Sequence, residues 1–425
     1  MHLVDTTLFY SPTSGGVRRY LNAKHAWYLR QASLTHSLLV PGETTHLQRG
    51  DLCTIAGRIV PGTFNYRLPL ATRRWKRMLD ALEPDLIEAG DAFHPAWCAL
   101  DVAHRRRIPA VAFFHSHLPR LIGIRLGQPM GRVAARYLRW LYERFDLVFG
   151  PSRVMCDFLR GIGLTNVALQ PLGVDTMVFN PVRRGAQLRQ KLGLAPDVRL
   201  LAYAGRFSAE KNIHVLHDAF ARLGKGYHLL MVGGGEYLRP APNITRIPYH
   251  RDSTELAKTL ASADALVHAG TAETFGLVVL EAMSCGRPVV GVRANAVAEL
   301  VDDAVGVTAA RADGELMARA VRELYDRDIE ALGRAARARV EARYSWDRAL
   351  PHQLAVYDGL MEKKRTLPAG WVTARRLPSG DQHVLPAGPS SNLISSAARL
   401  PPGVGFHKAT RQSRPEETSR APAGW

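Results

Sequence analysis

Short apolar runs alternate with longer stretches of helical spacing along most of the chain. Residues 3–9 read as a strand and 17–30 as a helix; 85–88 and 95–104 repeat the pair, and 110–114 form a further strand. The rhythm resumes at 199–203, 212–222, 227–232 and 265–268. Strands that alternate with helices in this way build a parallel sheet covered by helices. Between the two series, Gly173, Asn180 and Pro181 break the pattern, which places a linker at residues 171–181. The sequence therefore predicts an α/β protein with two such halves, residues 1–172 and 173–345. Ligands of open α/β sheets sit outside the carboxyl ends of the strands, so two facing sheets leave a cleft between them.

The richest stretch is residues 268–290, HAGTAETFGLVVLEAMSCGRPVV. It reads as a strand end, a polar loop at 271–274, an apolar helix over 276–285 stopped by Gly286, and the next strand. Glu273 then lies just before a helix N-terminus, and Glu281 about two turns along that helix at ~5.4 Å per turn. The free N–H groups near Phe275, Gly276 and Leu277 form an anion site between the two acids. A ligand with a phosphate at one end and hydroxyls for carboxylates to grip is a nucleotide sugar. The plainer alternative is a buried helix carrying two incidental acids, but an unpaired carboxylate in an apolar helix is costly. Gly15 and Gly16 follow the first strand, where a backbone without side chains can approach a diphosphate closely. Arg206 and Lys211 stand five apart across a strand-to-helix turn and can place two cations on one diphosphate. Surface pairing with Glu210 is the other use for them.

The 268–290 stretch resembles the Glu-x7-Glu signature of retaining glycosyltransferases of family 4. The resemblance spans roughly residues 1–360 and rests on segments in the family's order. Ser11-Pro-Thr-Ser-Gly-Gly-Val-Arg-Arg-Tyr20 is similar to its glycine-rich first loop. Val111-Ala-Phe-Phe-His115 is similar to its strand ending in histidine, and Tyr203-Ala-Gly-Arg206-Phe-Ser-Ala-Glu210-Lys211-Asn212 to the block that opens its second domain. The resemblance implies a GT-B fold, two Rossmann-like domains facing across a cleft, with a final helix, 346–362 including Tyr357, crossing back to the first. It implies transfer of a hexosyl unit from a nucleoside diphosphate sugar, of the GDP-mannose or UDP-glucose type, to a glycan or glycolipid hydroxyl with retention of configuration. Attack from the front face, with the departing phosphate oxygen taking the acceptor proton, goes with that.

By the same resemblance Arg206 and Lys211 clamp the leaving group, Glu273 holds donor-sugar hydroxyls and Glu281 takes the ribose hydroxyls. Phe275, Gly276 and Leu277 offer backbone N–H groups, and the base rests near residues 248–250. His115 sits close to the reacting sugar, although neighbouring His117 competes for that place. Gly233, Gly234 and Gly235 look like a phosphate cradle but read better as a turn. The family often has a Gly-Gly pair ahead of Pro-Glu where this chain has Ala294-Asn-Ala-Val-Ala-Glu299. Asp326-Arg-Asp328 mimics a metal motif inside a charged helical stretch and reads as a solvated face. No metal and no cofactor are expected.

Composition adds compartment and surface. Cys53, Cys98, Cys156 and Cys285 have neither metal-ligand nor paired spacing, which points to a reducing, cytoplasmic setting. No signal peptide and no membrane-spanning run is read in the sequence. The net charge of +18 is uneven: residues 1–170 hold 22 Lys/Arg against 12 Asp/Glu, 171–362 hold 24 against 23, and 363–425 hold 10 against 3. Arg120, Arg125, Arg132, Arg136, Arg139 and Arg144 punctuate one segment with Leu121, Ile122, Tyr137, Leu138, Trp140 and Leu141. Such a basic amphipathic helix either lies on an anionic membrane from the cytoplasmic side or packs on the core with a solvated arginine face. Residues 363–425, rich in Pro, Gly, Ser and Arg, read as a disordered basic tail. Other classes to weigh are a sugar epimerase or phosphorylase on the same fold, and a membrane- or nucleic-acid-binding protein. No pyridoxal-type lysine motif and no nucleic-acid motif is present, and nucleic acid is not an expected partner.

Overall fold

The structure is a computed structural model that describes residues 1–11, 15–60, 66–69, 71–235, 240–250 and 252–366. Strands β1 (His2–Thr6), β2 (Thr35–Gly42) and β3 (Leu52–Ala56) open the chain, followed by a short antiparallel pair, β4 (Arg58–Ile59) and β5 (Arg67–Leu68). Next come β6 (Leu86–Ala89), β7 (Ala110–Phe113), β8 (Leu147–Gly150) and β9 (Val167–Leu169). All but β4 and β5 join one parallel sheet in the order β3-β2-β1-β6-β7-β8-β9. A second parallel sheet takes β10 (Arg199–Ala204), β11 (Tyr227–Val232), β12 (Ile244–Ile247), β13 (Ala265–His268), β14 (Val289–Val292) and β15 (Gly306–Ala309) in the order β12-β11-β10-β13-β14-β15. Nearly every residue of β6, β7, β11, β13 and β14 is buried, as expected for strands covered on both faces. Strand order reverses beside β1 in the first sheet and beside β10 in the second. The loops leaving those strands are therefore where ligands of such sheets sit.

The last helix, Trp346–Thr366, returns to the first sheet and is held there by a charged cluster inside the core. Lys24, from the helix Gly16–Tyr28, has no exposed side-chain surface. Its ammonium donates to Asp5 on β1, Glu88 on β6 and the Tyr357 hydroxyl, each at 2.9 Å. Tyr357 donates in turn to Glu88, and Gln353 donates to the Tyr20 hydroxyl at 2.8 Å. Three ammonium hydrogens thus meet three oxygens, which is what makes a buried lysine tolerable. Removing one member of such a buried set typically costs ~3–5 kcal/mol.

Three sequence expectations differ from what the chain does. The arginine-rich segment is two helices, Leu118–Leu126 and Gln128–Tyr142, because Gly127 adopts φ of +89° between them. Asp326-Arg-Asp328 is a junction between helices, where the Asp328 carboxylate accepts from Ala331 N at 2.9 Å as an N-cap. The final helix runs to Thr366, past the end that composition gave it, and Lys364 pairs with Asp146 at 3.0 Å. The tail expected beyond that point lies outside the described residues. Among the described residues no helix is long and apolar enough to cross a membrane, and the four cysteines are free and buried.

His36 on β2 completes the core cluster through Asp5, 3.1 Å away, and also faces Lys24, His25 and Tyr28. Burial drives its pKa down from 6.5 to about 4, against the pull of Asp5. The folded state therefore favours neutral His36. Its contribution to stability is complete above the unfolded pKa and is lost as pH falls from there toward the folded one. The stability advantage of wild type over His36→Gln should shrink between about pH 7 and about pH 4.5 in thermal melts. Parallel profiles across that window would contradict this reading of the core.

Candidate active site

A cavity of about 650 Å³ lies between the carboxyl edges of the two sheets, lined by loops from both. That is the size range of small-molecule sites. Gly15, Gly16, His115, Arg206, Lys211, Glu273, Phe275, Gly276 and Leu277 all line it. Glu281 stands behind this lining, 1% exposed.

Glu273 occupies the loop between β13 and the helix Leu277–Ser284. Its Oε1 takes the Lys211 ammonium and sits 2.9 Å from His268 Nε2. Burial pushes its pKa up, but Lys211 and His268 outweigh burial and hold the carboxyl well below its ordinary value. A carboxylate so held stays charged beside the cavity. Gly276 turns the chain with φ of +88°, and the helix behind it aims N–H groups at the same space.

Lys211 closes a single 3₁₀ turn after β10 and is mostly buried, whereas Arg206 is half exposed and pairs with Glu210 at 3.6 Å. Each of the two cations has a separate carboxylate, and of the two Arg206 reaches farther into solvent. Tyr203 fixes the turn by donating to the Arg206 carbonyl at 2.8 Å. Gly15 and Gly16 would meet no atom within 4 Å if given a Cβ, so packing does not ask for glycine there; both face the open cavity. Gly233 and Gly235 are the opposite case. A Cβ there would stand 1.9 and 2.1 Å from the Gly205 and Phe207 carbonyl oxygens, so these glycines let two loops cross.

His115 follows β7 and stacks on Phe113, ring centroids 4.2 Å apart. Burial, with Lys24 adding to it, lowers its pKa to about 3, so the imidazole is neutral, and its buried Nε2 has no partner among the described residues. His117 instead accepts from Arg120 N at 3.3 Å and caps a helix. The two halves also meet directly here. Thr274 donates to the His115 carbonyl at 2.8 Å, and Ser152 to the Thr274 carbonyl at 2.9 Å. Glu299, in the segment that departs from the family pattern, accepts from Arg153 N at 3.0 Å and Val154 N at 2.6 Å across the halves. Asn295 donates to the Thr271 carbonyl at 2.7 Å. Tyr249 and His250, where the base was expected, line the cavity.

Sequence reasoning gave no role to Arg19, which pairs with Glu281, or to His268, the buried partner of Glu273. Arg19 was within reach, since it sits one helical turn beyond Gly16. His268 was not, since a strand-end histidine resembles any core histidine. Among the described residues no cluster of three or more His, Cys, Asp or Glu could hold a metal ion.

Residues 14–178 match the model of glycosyltransferase family 4, and residues 198–327 that of glycosyl transferases group 1. The chain is 31% identical over 388 residues to a GDP-mannose-dependent alpha-(1-6)-phosphatidylinositol dimannoside mannosyltransferase of Mycobacterium tuberculosis, covering 86% of this chain and 98% of that one. It is 29% identical to a sulfoquinovosyl transferase of Arabidopsis thaliana, covering 78% of this chain and 69% of the other. Among solved structures, a sucrose-phosphate synthase from Thermosynechococcus elongatus superposes with a TM-score of 0.71 at 20% identity, covering 85% of this chain and 99% of that one. Anabaena HepE in complex with UDP and glucose follows at 0.66 and 19%, covering 84% and 100%. With two sheets facing across a cleft of this lining and a relative matched over nearly its whole length, the chain belongs to the group 1, family 4 glycosyltransferases of GT-B fold.

Proposed function

We propose that this glycosyltransferase moves mannose from GDP-mannose to a hydroxyl of a membrane glycolipid, with retention of configuration. The observation that carries the donor is the near full-length similarity to a GDP-mannose-dependent enzyme. The geometry supports the division of labour. Arg206, Lys211 and the N-terminus of the Leu277–Ser284 helix supply positive charge for a departing diphosphate. Glu273, kept charged by Lys211 and His268, receives the donor sugar's hydroxyls and lies beside the carbon that becomes positive. Neutral His115 offers its unpartnered Nε2 to the sugar. Glu273, held by two partners, is poorly placed as a nucleophile, so the acceptor attacks from the front face and the leaving phosphate oxygen takes its proton.

The acceptor enters on the side of the first sheet. There the rings of Phe9, Tyr66 and Phe93 form an edge-to-face group at the cavity wall. Asp91 fixes two of them by accepting from Leu8 N, Phe93 N and the Thr7 hydroxyl at 2.5, 2.8 and 2.9 Å. Leu121, Ile122 and Leu126 continue the wall along the Leu118–Leu126 helix. Leu126 is 66% exposed, and Ile124, Met130 and Val133 extend the apolar strip outward among Arg125, Arg132 and Arg136. An apolar strip rimmed by arginines suits an anionic membrane surface, from which a lipid-linked acceptor can reach the cavity.

Purified protein given radiolabelled GDP-mannose and vesicles carrying a mannosylated phosphatidylinositol should yield a labelled lipid, and UDP-glucose should not replace the donor. Transfer from UDP-glucose alone, or to free glycans alone, would refute the assignment. Lys211→Ala and Arg206→Ala should each lower turnover by ~10²–10³-fold, the usual cost of losing one donor to a developing anion. Near-normal turnover in either variant would remove that residue from the leaving-group clamp.

A further inference from the structure

Glu281 is bonded across the cleft in a way the donor-site assignment alone does not require. Its carboxylate is 1% exposed on the Leu277–Ser284 helix of the second half. Its Oε1 accepts from Arg19 Nη1, which stands in the first turn of the Gly16–Tyr28 helix of the first half. The two residues are 262 positions apart. Oε2 is buried and has no hydrogen-bond partner among the described residues. One oxygen is therefore committed to the opposite half and the other is left over. An arginine that merely filled the ligand's place would use its fork on both oxygens, the geometry guanidinium and carboxylate favour. Here the fork meets one carboxylate oxygen only and also hydrogen-bonds the Tyr249 side chain, with which Arg19 lines the cavity.

We propose that Arg19 is a positioning residue of the nucleotide site: it fixes Glu281 through Oε1 so that Oε2 is presented to the ribose hydroxyls. This rests on the reading that Glu281 serves the ribose. Its consequence is that ribose recognition depends on the two halves being closed, because the residue that aims the carboxylate belongs to the half that does not otherwise hold the nucleoside. When the halves part, Glu281 loses its cation and its aim together.

Calorimetric affinities for GDP, 2′-deoxy-GDP and 3′-deoxy-GDP test this in wild type, Arg19→Ala, Arg19→Lys and Glu281→Gln. Wild type should prefer GDP over the deoxy nucleotide that lacks the bonded hydroxyl by about tenfold or more, as expected for a hydrogen bond to a charged group. In Arg19→Ala that preference should fall to within about twofold, and Arg19→Lys should restore part of it. In the Glu281→Gln background, Arg19→Ala should change the preference no further. A role confined to folding would weaken all three nucleotides in parallel; that result, with the preference intact in Arg19→Ala, overturns the proposal. So does a gain of GDP affinity in Arg19→Ala, which would make Arg19 a plug. Wild type that binds GDP without any preference for the hydroxyls removes the ribose assignment itself and the proposal with it. Wild type that does not bind GDP fails the donor reading first and also leaves the proposal without its ligand, overturning it.

Discussion

Two buried carboxylates in one cleft set the terms for everything around them. A charge taken out of water must be met by an opposite charge or by hydrogen bonds, and the chain provides both cations from far away in sequence. Lys211 reaches Glu273 from the turn after β10, and Arg19 reaches Glu281 from the first helix of the other half. The Arg19–Glu281 pair ties the two halves across the cleft, and the Lys211–Glu273 pair joins two loops of the second half. A ligand of opposite pattern, anionic at the diphosphate and rich in hydroxyls at the sugar and ribose, meets these charges while Arg19 keeps its hold on Glu281.

Holding the halves together calls for the same solution at a second place. The Lys24 cluster joins β1, β6 and the last helix through one ammonium. Since that helix begins beside the second half and ends on the first, the cluster fixes the geometry from which Arg19 and His115 are presented. His115 stacks on Phe113 and tilts against Tyr20, whose hydroxyl receives Gln353 from the last helix. The core network and the His115 end of the cavity thus share one wall.

Much of this was legible in the sequence because strand-and-helix alternation and glycine positions are local signals. The two parallel sheets follow from apolar runs, and the loop-helix placement of Glu273 and Glu281 follows from Gly276 and Gly286. What was not legible depends on contacts between distant residues. Nothing in the local pattern says that Lys211 spends its charge on Glu273, that Lys24 is buried whole, or that Glu299 caps a helix of the other half. The arginine-rich segment misled for a related reason. Its periodicity suits a single helix, and one glycine with positive φ divides it.

A crystal structure of the protein with GDP would test the central claim most directly. The ribose hydroxyls should lie on Glu281 and the β-phosphate between Arg206 and Lys211, at the N-terminus of the Leu277–Ser284 helix. Arg19 remains on the far oxygen of Glu281. A nucleotide whose diphosphate lies away from Arg206 and Lys211, or whose ribose does not touch Glu281, would contradict it.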